Sequence, residues 1–191
     1  MPLKNNKSPG PDNIGPKLIK YVACELCYPL LYIFNLSFEK GLVPDKLKLA
    51  KLVPVYKGVN ELLPNNYRPI SLLNVFDELL EKIMAVRLYG FLDVHNILYD
   101  YQFGFRKNHS TTLALIDVVE IFQHLDKDEI DIGIYLDLKK AFDTVDHILL
   151  HKLHNNGIIY DWFRSYLCDR RQYTCIGPNY SEIAYIKFGL V

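Results

Sequence analysis

The sequence predicts an α+β fold, in which helices and strands occupy separate stretches of the chain. Apolar residues recur at helical spacing over residues 16–40, whereas residues 47–56 and 67–73 have the character of strands. Further helical patterns follow, and the chain then returns to a strand, a helix and a second pair of strands after residue 130. Because strands and helices do not alternate regularly, a doubly wound parallel sheet is not expected.

The first half of the chain is predicted to contain two helices and a hairpin. Pro29 lies inside the helical pattern of residues 16–40 and is expected to break or kink it, and Gly41 is placed to end it. The two strands that follow would pair as a hairpin across the polar loop of residues 57–66. Pro54 favours an edge position for the first strand, because proline has no N–H to donate to a neighbour.

The second half is predicted to begin with two longer helices. Asn74 is placed to cap an amphipathic helix that carries Leu80 and Met84, and Ser110 or Thr111 is placed to cap the next helix. A strand, a short helix and two more strands complete the predicted order, at residues 131–137, 162–167, 171–176 and 183–188.

Composition favours a folded protein of one domain or slightly more. The chain has 191 residues, 50% of them hydrophobic, and its 22 basic residues balance 22 acidic ones. Zero net charge argues mildly against a dedicated nucleic-acid binder, which usually carries a basic excess, but it allows a local basic groove. No apolar run approaches the roughly 18 residues that a membrane span needs, so no membrane association is expected.

Four scattered cysteines argue against a disulfide scaffold. Together with an N-terminus that does not resemble a signal peptide, they indicate a reducing, intracellular setting. Cys24 and Cys27 have the C-x-x-C spacing of zinc or redox sites, but their apolar, helical surroundings favour buried core thiols.

Residues 135–143 carry the strongest chemical signal. An apolar run delivers Asp137 at the end of a predicted strand, and Phe142 and Asp143 follow shortly after. A carboxylate fixed at a strand end suits a divalent metal such as Mg²⁺, which binds oxygen ligands. The alternative is that Asp137 only forms a turn or caps a helix, and Asp143 is more simply interpreted as a helix cap.

Two basic residues flank the loop of the predicted hairpin. Lys57 and Arg68 are placed to project from one face, where they would neutralise a triphosphate, the arginine through its planar fork and the lysine as a point charge. Taken alone, two solvated surface charges are the simpler interpretation.

A further candidate for nucleic-acid contact is the loop from Gln102 to Arg106, together with the hydroxyls of Ser110 and Thr111. Such side chains bind phosphate and sugar oxygens in nucleic-acid complexes. A turn followed by a helix cap explains the same residues without any ligand.

Taken in order, these segments resemble the reverse transcriptases of non-LTR (LINE-type) retrotransposons, of the jockey or chicken-repeat-like branch. Any one block is weak evidence, but five blocks in the right order and spacing are specific, and they cover nearly the whole chain. The blocks are Lys-Ser-Pro-Gly-Pro-Asp at 7–12, Asn-Tyr-Arg-Pro-Ile-Ser-Leu-Leu at 66–73, Tyr-Gln-Phe-Gly-Phe-Arg at 101–106 with Ser-Thr at 110–111, Tyr-Leu-Asp-Leu-Lys-Lys-Ala-Phe-Asp at 135–143, and Trp-Phe-x-Ser-Tyr-Leu at 162–167.

The resemblance implies a right-hand polymerase fold, with the fingers over residues 1–128 and the first part of the palm over residues 129–191. It implies RNA-directed DNA synthesis, in which an RNA template directs the addition of deoxynucleoside triphosphates to a DNA primer by two-metal phosphoryl transfer with Mg²⁺ or Mn²⁺. It assigns Asp137 and the Leu138 carbonyl to the metal, Arg68 and Lys57 to the triphosphate, Phe142 to the sugar, and Arg106 and Gln102 to the template.

The chain departs from the family pattern after its last block. It stops at the threshold of the family's Gly-Val-Pro-Gln-Gly block and lacks the Tyr-x-Asp-Asp turn that supplies the partner carboxylates. On this pattern it is a truncated domain that would hold metal only with those carboxylates, so the chain alone is expected to be inactive. Two other functions stay open: a non-catalytic nucleic-acid-binding module, and an unrelated metal-dependent hydrolase built on Asp137 and Asp143.

Overall fold

The computed structural model of the chain describes residues 3–58, 60–122, 132–138, 141, 145 and 160–186. The chain divides into two compact units, a larger one from residues up to 84 together with those from 140 onwards, and a smaller one from residues 85–139. The larger unit combines helices with a five-stranded mixed sheet, so the predicted α+β class is confirmed at this level.

The first helical region consists of α1 (Pro16–Tyr21) and α2 (Ala23–Lys40). The sequence predicted a break or kink at Pro29, but the two helices are separated at Val22. Pro29 lies within α2, where its missing N–H removes one hydrogen bond while the helix continues. Gly41 ends α2 as predicted, with a left-handed φ of 63° that glycine adopts without steric cost.

A hairpin follows, formed by β1 (Leu49–Tyr56) and β2 (Tyr67–Leu72), which confirms the predicted strand pair. Two short 3₁₀ helices accompany it, Asp45–Leu47 before β1 and Pro64–Asn66 within the hairpin loop. The second of these leads directly into β2.

β1 is an interior strand of the sheet, which corrects the edge position predicted from Pro54. It pairs antiparallel with β2, and its residues 49–52 pair in parallel with β3 (Arg171–Ile176). Pro54 lies beyond the stretch that is paired with β3, and it faces Pro69 at a position of the hairpin where no ladder bond is exchanged. The β1–β2 ladder therefore loses no hydrogen bond at either proline.

Two short strands complete the sheet on β3. They are β4 (Asn179–Tyr180) and β5 (Ala184–Tyr185), and both pair antiparallel with β3. The predicted strand at residues 171–176 is confirmed, whereas the one predicted at residues 183–188 is represented among the described residues by β5 alone.

Three more helices lie close to their predicted positions: α3 (Val75–Val94), α4 (Thr111–Phe122) and α5 (Tyr160–Leu167). Ser110 caps α4, because its hydroxyl oxygen accepts the N–H of Leu113 at 3.3 Å. Within the described ranges, no helix is both long enough and apolar enough to cross a bilayer.

The core of the larger unit lies where α2, α3 and α5 meet. Trp162 is its largest side chain and is 1% exposed. Its ring centroid lies 5.6 Å from that of Phe38, and its indole N–H donates to Ser37 Oγ at 3.0 Å. The buried apolar members are Phe34, Phe38, Val43, Leu80, Met84 and Trp162.

The segment before α1 packs against the junction between β2 and α3. A Cβ atom at Gly10 would overlap backbone atoms of this junction, so the close approach requires glycine. The side-chain oxygen of Asn74 accepts the N–H of Asp12 at 3.3 Å, and Lys7 pairs with Glu78 at 2.8 Å. This segment is therefore part of the larger unit and not a free arm.

Cys24 and Cys27 correct another prediction, because both thiols are exposed rather than buried in the core. The buried positions of α2, Phe34, Ser37 and Phe38, all lie in its C-terminal half, whereas the two cysteines lie in its first half. Apolar neighbours in the sequence predicted burial, but only one end of this helix contacts the core.

Candidate functional site

Lys57 and Arg68 lie at the loop end of the β1–β2 hairpin. Val55 is directly opposite Arg68, and the N–H of Lys57 donates to Asn66 O at 2.8 Å, which continues the ladder by one pair. Because side chains alternate between the faces of a sheet, Lys57 and Arg68 project to the same side as Val55. The register of the hairpin therefore agrees with the sequence prediction that both side chains lie on one face. Both side chains are exposed.

Lys51 extends this basic face towards the middle of the sheet. It lies opposite Leu72 of β2 and Tyr173 of β3, two strand positions before Val53 on the same side. None of the three cations forms an ion pair with a residue that the structure describes. We call Lys51, Lys57 and Arg68 the basic hairpin face; its unpaired charge attracts anions.

Arg106 holds the shape of its own loop. Its guanidinium donates to the carbonyl oxygens of Tyr99 at 2.9 Å and Asp100 at 3.4 Å, and the Asp100 carboxylate lies 3.9 Å away. Gln102 acts in the same way, since its side-chain amide donates to Gly104 O at 3.1 Å. These two side chains therefore fix the conformation of the loop that they belong to.

A cavity of about 730 Å³ lies between the second half of α3 and this loop. The hydroxyl of Tyr89 donates to Phe105 O at 2.8 Å and ties the two walls together. Lys107 and His109 line the same cavity. Basic side chains beside aromatic rings are typical of surfaces that bind single-stranded nucleic acid.

Asp137 lies on an exposed segment and not at the end of a strand. Residues 132–138 pair with no strand in the described part of the chain, and their large apolar side chains are 75–87% exposed. A strand needs neighbours for its backbone N–H and C=O groups. The strand predicted at residues 131–137 is therefore wrong for the residues that the structure shows.

The donors at Asp137 do not amount to a metal site by themselves. Mg²⁺ prefers octahedral oxygen coordination, usually from one or two carboxylates together with waters and substrate phosphates. Asp137 offers one carboxylate and Leu138 one neutral carbonyl oxygen, and the described ranges contain no group of three His, Cys, Asp or Glu side chains able to hold a metal. Phe142 and Asp143 lie outside the described residues.

Sequence reasoning missed a buried ionic network that joins α3 to the segment after α5. Arg170 Nη2 lies 3.1 Å from Asp77 Oδ2, with side chains 2% and 0% exposed. The guanidinium also stacks 4.6 Å from the ring centroid of Tyr166, whose hydroxyl donates to Glu81. The available signal was the position of Asp77, three and seven residues before Leu80 and Met84 on the buried stripe of α3.

Burial dominates the electrostatics of this network. Burial and, to a smaller extent, the nearby Glu81 raise the pKa of Asp77, Arg170 opposes the rise, and the net value is about 7. Burial likewise raises the pKa of Glu81 and of Tyr166. Because the Asp77–Arg170 pair at its centre is buried, we interpret the network as a structural tie and not as a reaction centre.

Comparison with known proteins shows which family has a similar sequence. A family model described as reverse transcriptase (RNA-dependent DNA polymerase) matches residues 55–191. The chain is 34% identical over 195 residues to the "Probable RNA-directed DNA polymerase from transposon BS" of Drosophila melanogaster, an alignment that covers 100% of the chain and 21% of that relative.

Two other Drosophila melanogaster proteins show the same relationship. The "Probable RNA-directed DNA polymerase from transposon X-element" is 34% identical over 87% of the chain and 19% of its own length. The "RNA-directed DNA polymerase from mobile element jockey" is 32% identical over 77% of the chain and 16% of its own length. The chain thus spans about a fifth of the length of the curated relatives it matches.

The family match covers more than half of the chain and includes the basic hairpin face from Val55 onwards, the Arg106 loop and Asp137. The relatives are enzymes of mobile elements, which agrees with the resemblance predicted from the five sequence blocks. The chain therefore belongs to the reverse transcriptase (RNA-dependent DNA polymerase) family, as the LINE-type member that its motifs predicted.

Proposed function

We propose that this chain forms the fingers, over residues 1–128, and the first part of the palm, over residues 129–191, of the RNA-directed DNA polymerase of a LINE-type mobile element. In that role it works inside the cell on an RNA template, a DNA primer and deoxynucleoside triphosphates. The observation that carries the proposal is the register of the β1–β2 hairpin, which sets Lys57 and Arg68 on one exposed face inside the family match.

Arg68 is the proposed anchor for the triphosphate. A guanidinium presents a planar fork that matches two phosphate oxygens, and the Lys57 ammonium adds a point charge beside it. Because no ion pair within the described residues consumes these charges, an incoming triphosphate has no internal bond to displace. Lys51 extends the positive potential along the path of the phosphates.

Replacing Arg68 with alanine is expected to weaken the binding of a deoxynucleoside triphosphate by about 30-fold. The estimate corresponds to about 2 kcal/mol, within the range for hydrogen bonds to charged groups. Titration of a fluorescent deoxynucleoside triphosphate, followed by anisotropy at fixed salt, measures the change. Arg68→Lys should recover only part of the affinity, since an ammonium binds one oxygen where the guanidinium binds two.

Arg164→Ala is the matched control, because Arg164 is also exposed but lies on α5 and not on the hairpin. Its affinity should stay within twofold of that of the wild-type chain. If Arg68→Ala and Arg164→Ala weakened triphosphate binding equally, the loss would come from the lower net positive charge of the chain. That result would count against the role assigned to Arg68.

The chain is proposed to supply only part of the catalytic centre. Reverse transcriptases use Mg²⁺ or Mn²⁺ for phosphoryl transfer. Asp137 and the Leu138 carbonyl are the proposed contribution of this chain to the metal, and Phe142 is proposed to contact the sugar. Since one carboxylate does not complete such a site, further carboxylates are required.

Accordingly, the purified 191-residue chain is expected not to extend a DNA primer on an RNA template with either Mg²⁺ or Mn²⁺. Gel analysis of a labelled primer, with a full-length enzyme as positive control, measures the product. The proposal of an incomplete centre would fail if the chain extended the primer and Asp137→Asn abolished that activity while the exposed Asp161→Asn kept it.

A non-catalytic nucleic-acid-binding module is the second candidate. The observation in its favour is the cavity beside α3, where Lys107 and His109 lie next to Tyr89. A module of this kind would bind single-stranded RNA with a steep salt dependence but would not select a triphosphate through Arg68. The Arg68→Ala titration therefore also separates the two candidates.

A further inference from the structure

Cys24 and Cys27 form a pair of exposed thiols that the proposed polymerase function does not use. Both lie in the first half of α2, and both are free. Side chains three residues apart on an α-helix are neighbours, with Cβ atoms about 5–6 Å apart. The burial that the sequence predicted would have shielded these thiols, whereas their exposure leaves both sulfurs open to a ligand.

The spacing of this pair does not match a disulfide bond. A disulfide needs Cβ atoms about 3.5–4.5 Å apart, so helical neighbours are about 1–2 Å too distant. Closing the bond would distort the turn that carries the two cysteines. This turn is helical from its start, since the N–H of Leu26 donates to Val22 O at 3.1 Å. The helix therefore presents two separate thiols.

A metal ion held between the two sulfurs fits the same spacing without distortion of the helix. Metal–thiolate bonds are about 2.3 Å long, so two such bonds in line place the sulfurs about 4.6 Å apart. Each sulfur reaches such a position by rotation about its own Cα–Cβ bond, and both side chains are exposed and have room to rotate.

The number of available ligands selects the kind of metal. A structural zinc site uses four protein ligands in a tetrahedron, but the described part of the chain contains no group of three His, Cys, Asp or Glu side chains able to hold a metal. Glu25 lies between the two cysteines in the sequence and does not complete such a group. Cu(I) is a soft ion that prefers thiolate sulfur, and two sulfur ligands in line satisfy it.

We propose that Cys24 and Cys27 bind one Cu(I) ion as a two-coordinate dithiolate. Binding breaks two S–H bonds and forms two sulfur–copper bonds, and the two protons pass to the solvent. No electron is transferred, and the loaded site carries one net negative charge. Zn²⁺ should bind far more weakly, because two of its four ligand positions would be left to water.

Anaerobic titration of the reduced 191-residue chain with Cu(I), in competition with the coloured chelator bicinchoninate, measures the affinity. The chain should bind one Cu(I) at this site. Cys24→Ser and Cys27→Ser should each weaken binding by about 100-fold or more, because loss of a mere supporting residue already costs about 10–100-fold at metal sites.

Cys168→Ser is the matched control, because Cys168 is also free and exposed but follows α5, with no other cysteine within six residues. Its Cu(I) affinity should stay within twofold of that of the wild-type chain. Without metal, all three serine variants should melt at the wild-type temperature, since the substituted thiols are exposed.

Cu(I) should raise the melting temperature of the wild-type chain and of Cys168→Ser, but not that of Cys24→Ser or Cys27→Ser. X-ray absorption spectroscopy of the loaded chain should show two sulfur ligands on the copper. The proposal would be overturned by Zn²⁺ binding as tight as that of Cu(I), by unchanged Cu(I) affinity in Cys24→Ser and Cys27→Ser, or by an equal loss in Cys168→Ser.

Discussion

Replacing Arg170 with leucine is expected to lower the free energy of unfolding by about 3–5 kcal/mol at pH 8. Arg170 is 2% exposed and its partner Asp77 is fully buried, so the substitution leaves an ionised carboxylate in the core with no counter-charge. The fold must then bury that charge unpaired or bind a proton that the unfolded carboxyl, with its ordinary pKa of 3.8, does not bind at pH 8. Urea denaturation followed by circular dichroism gives the difference directly.

The loss should shrink as the pH falls. Burial raises the folded-state pKa of Asp77 to about 7 from an ordinary value of 3.8, so the folded chain binds this proton more tightly than the unfolded chain. In the wild-type chain this group contributes stability that is complete below about pH 4 and is lost as the pH rises through 7. Arg170 lowers that pKa, so in the variant without it the stabilising contribution of Asp77 persists to a higher pH. The free energy of unfolding of the variant is therefore lowest at high pH.

A double variant separates pairing from packing. Asp77→Leu/Arg170→Leu removes both charges, and it should be markedly more stable at pH 8 than Arg170→Leu alone, because buried pairs are commonly replaced by apolar residues at little cost. If Arg170→Leu were equally destabilised at pH 5 and pH 8, the unpaired carboxylate would not be the cause.

Trp162→Ala is expected to cost about 3–5 kcal/mol, the usual range for removing a large buried aromatic side chain. The ring is 1% exposed, packs against Phe38, and stacks on Tyr166 with ring centroids 5.3 Å apart. Its removal opens a cavity where α2, α3 and α5 meet. Trp162 is the single tryptophan of the chain, so unfolding has to be followed by circular dichroism and not by fluorescence.

Trp162→Phe gives the matched comparison, since it retains an aromatic ring but cannot donate to Ser37 Oγ. We expect roughly half the loss of the alanine variant, because most of the apolar area is kept. Equal losses in the two variants would indicate that the hydrogen bond, and not packing, holds the helices together.

Elements whose signal is local were predicted well. The hairpin was predicted because β-branched and aromatic residues on both sides of a polar loop favour paired strands, and the register then placed Lys57 and Arg68 on one face. Gly41 was predicted to end α2 because few other residues adopt its positive φ without cost. In each case the deciding interactions lie within a few residues along the chain.

Features that depend on distant partners were not predicted. Pro54 indicated an edge strand, but the position of the parallel partner β3 is not encoded near Pro54. Asp137 was placed on a strand from its apolar run alone, whereas a strand also needs a neighbour to pair with. The buried ion pair of Asp77 was not predicted, because its partner Arg170 lies far along the sequence.

The parallel pairing of β1 with β3 also constrains the order in which the protein acquires its fold during synthesis. The central strand of the sheet begins at Leu49, yet its partner begins at Arg171, about 120 residues later. At roughly 5–20 residues per second, a ribosome needs about 6–24 s to make the intervening chain. During that interval one side of β1 presents unpaired backbone groups, so the nascent hairpin is a natural client for chaperones that bind exposed strand edges.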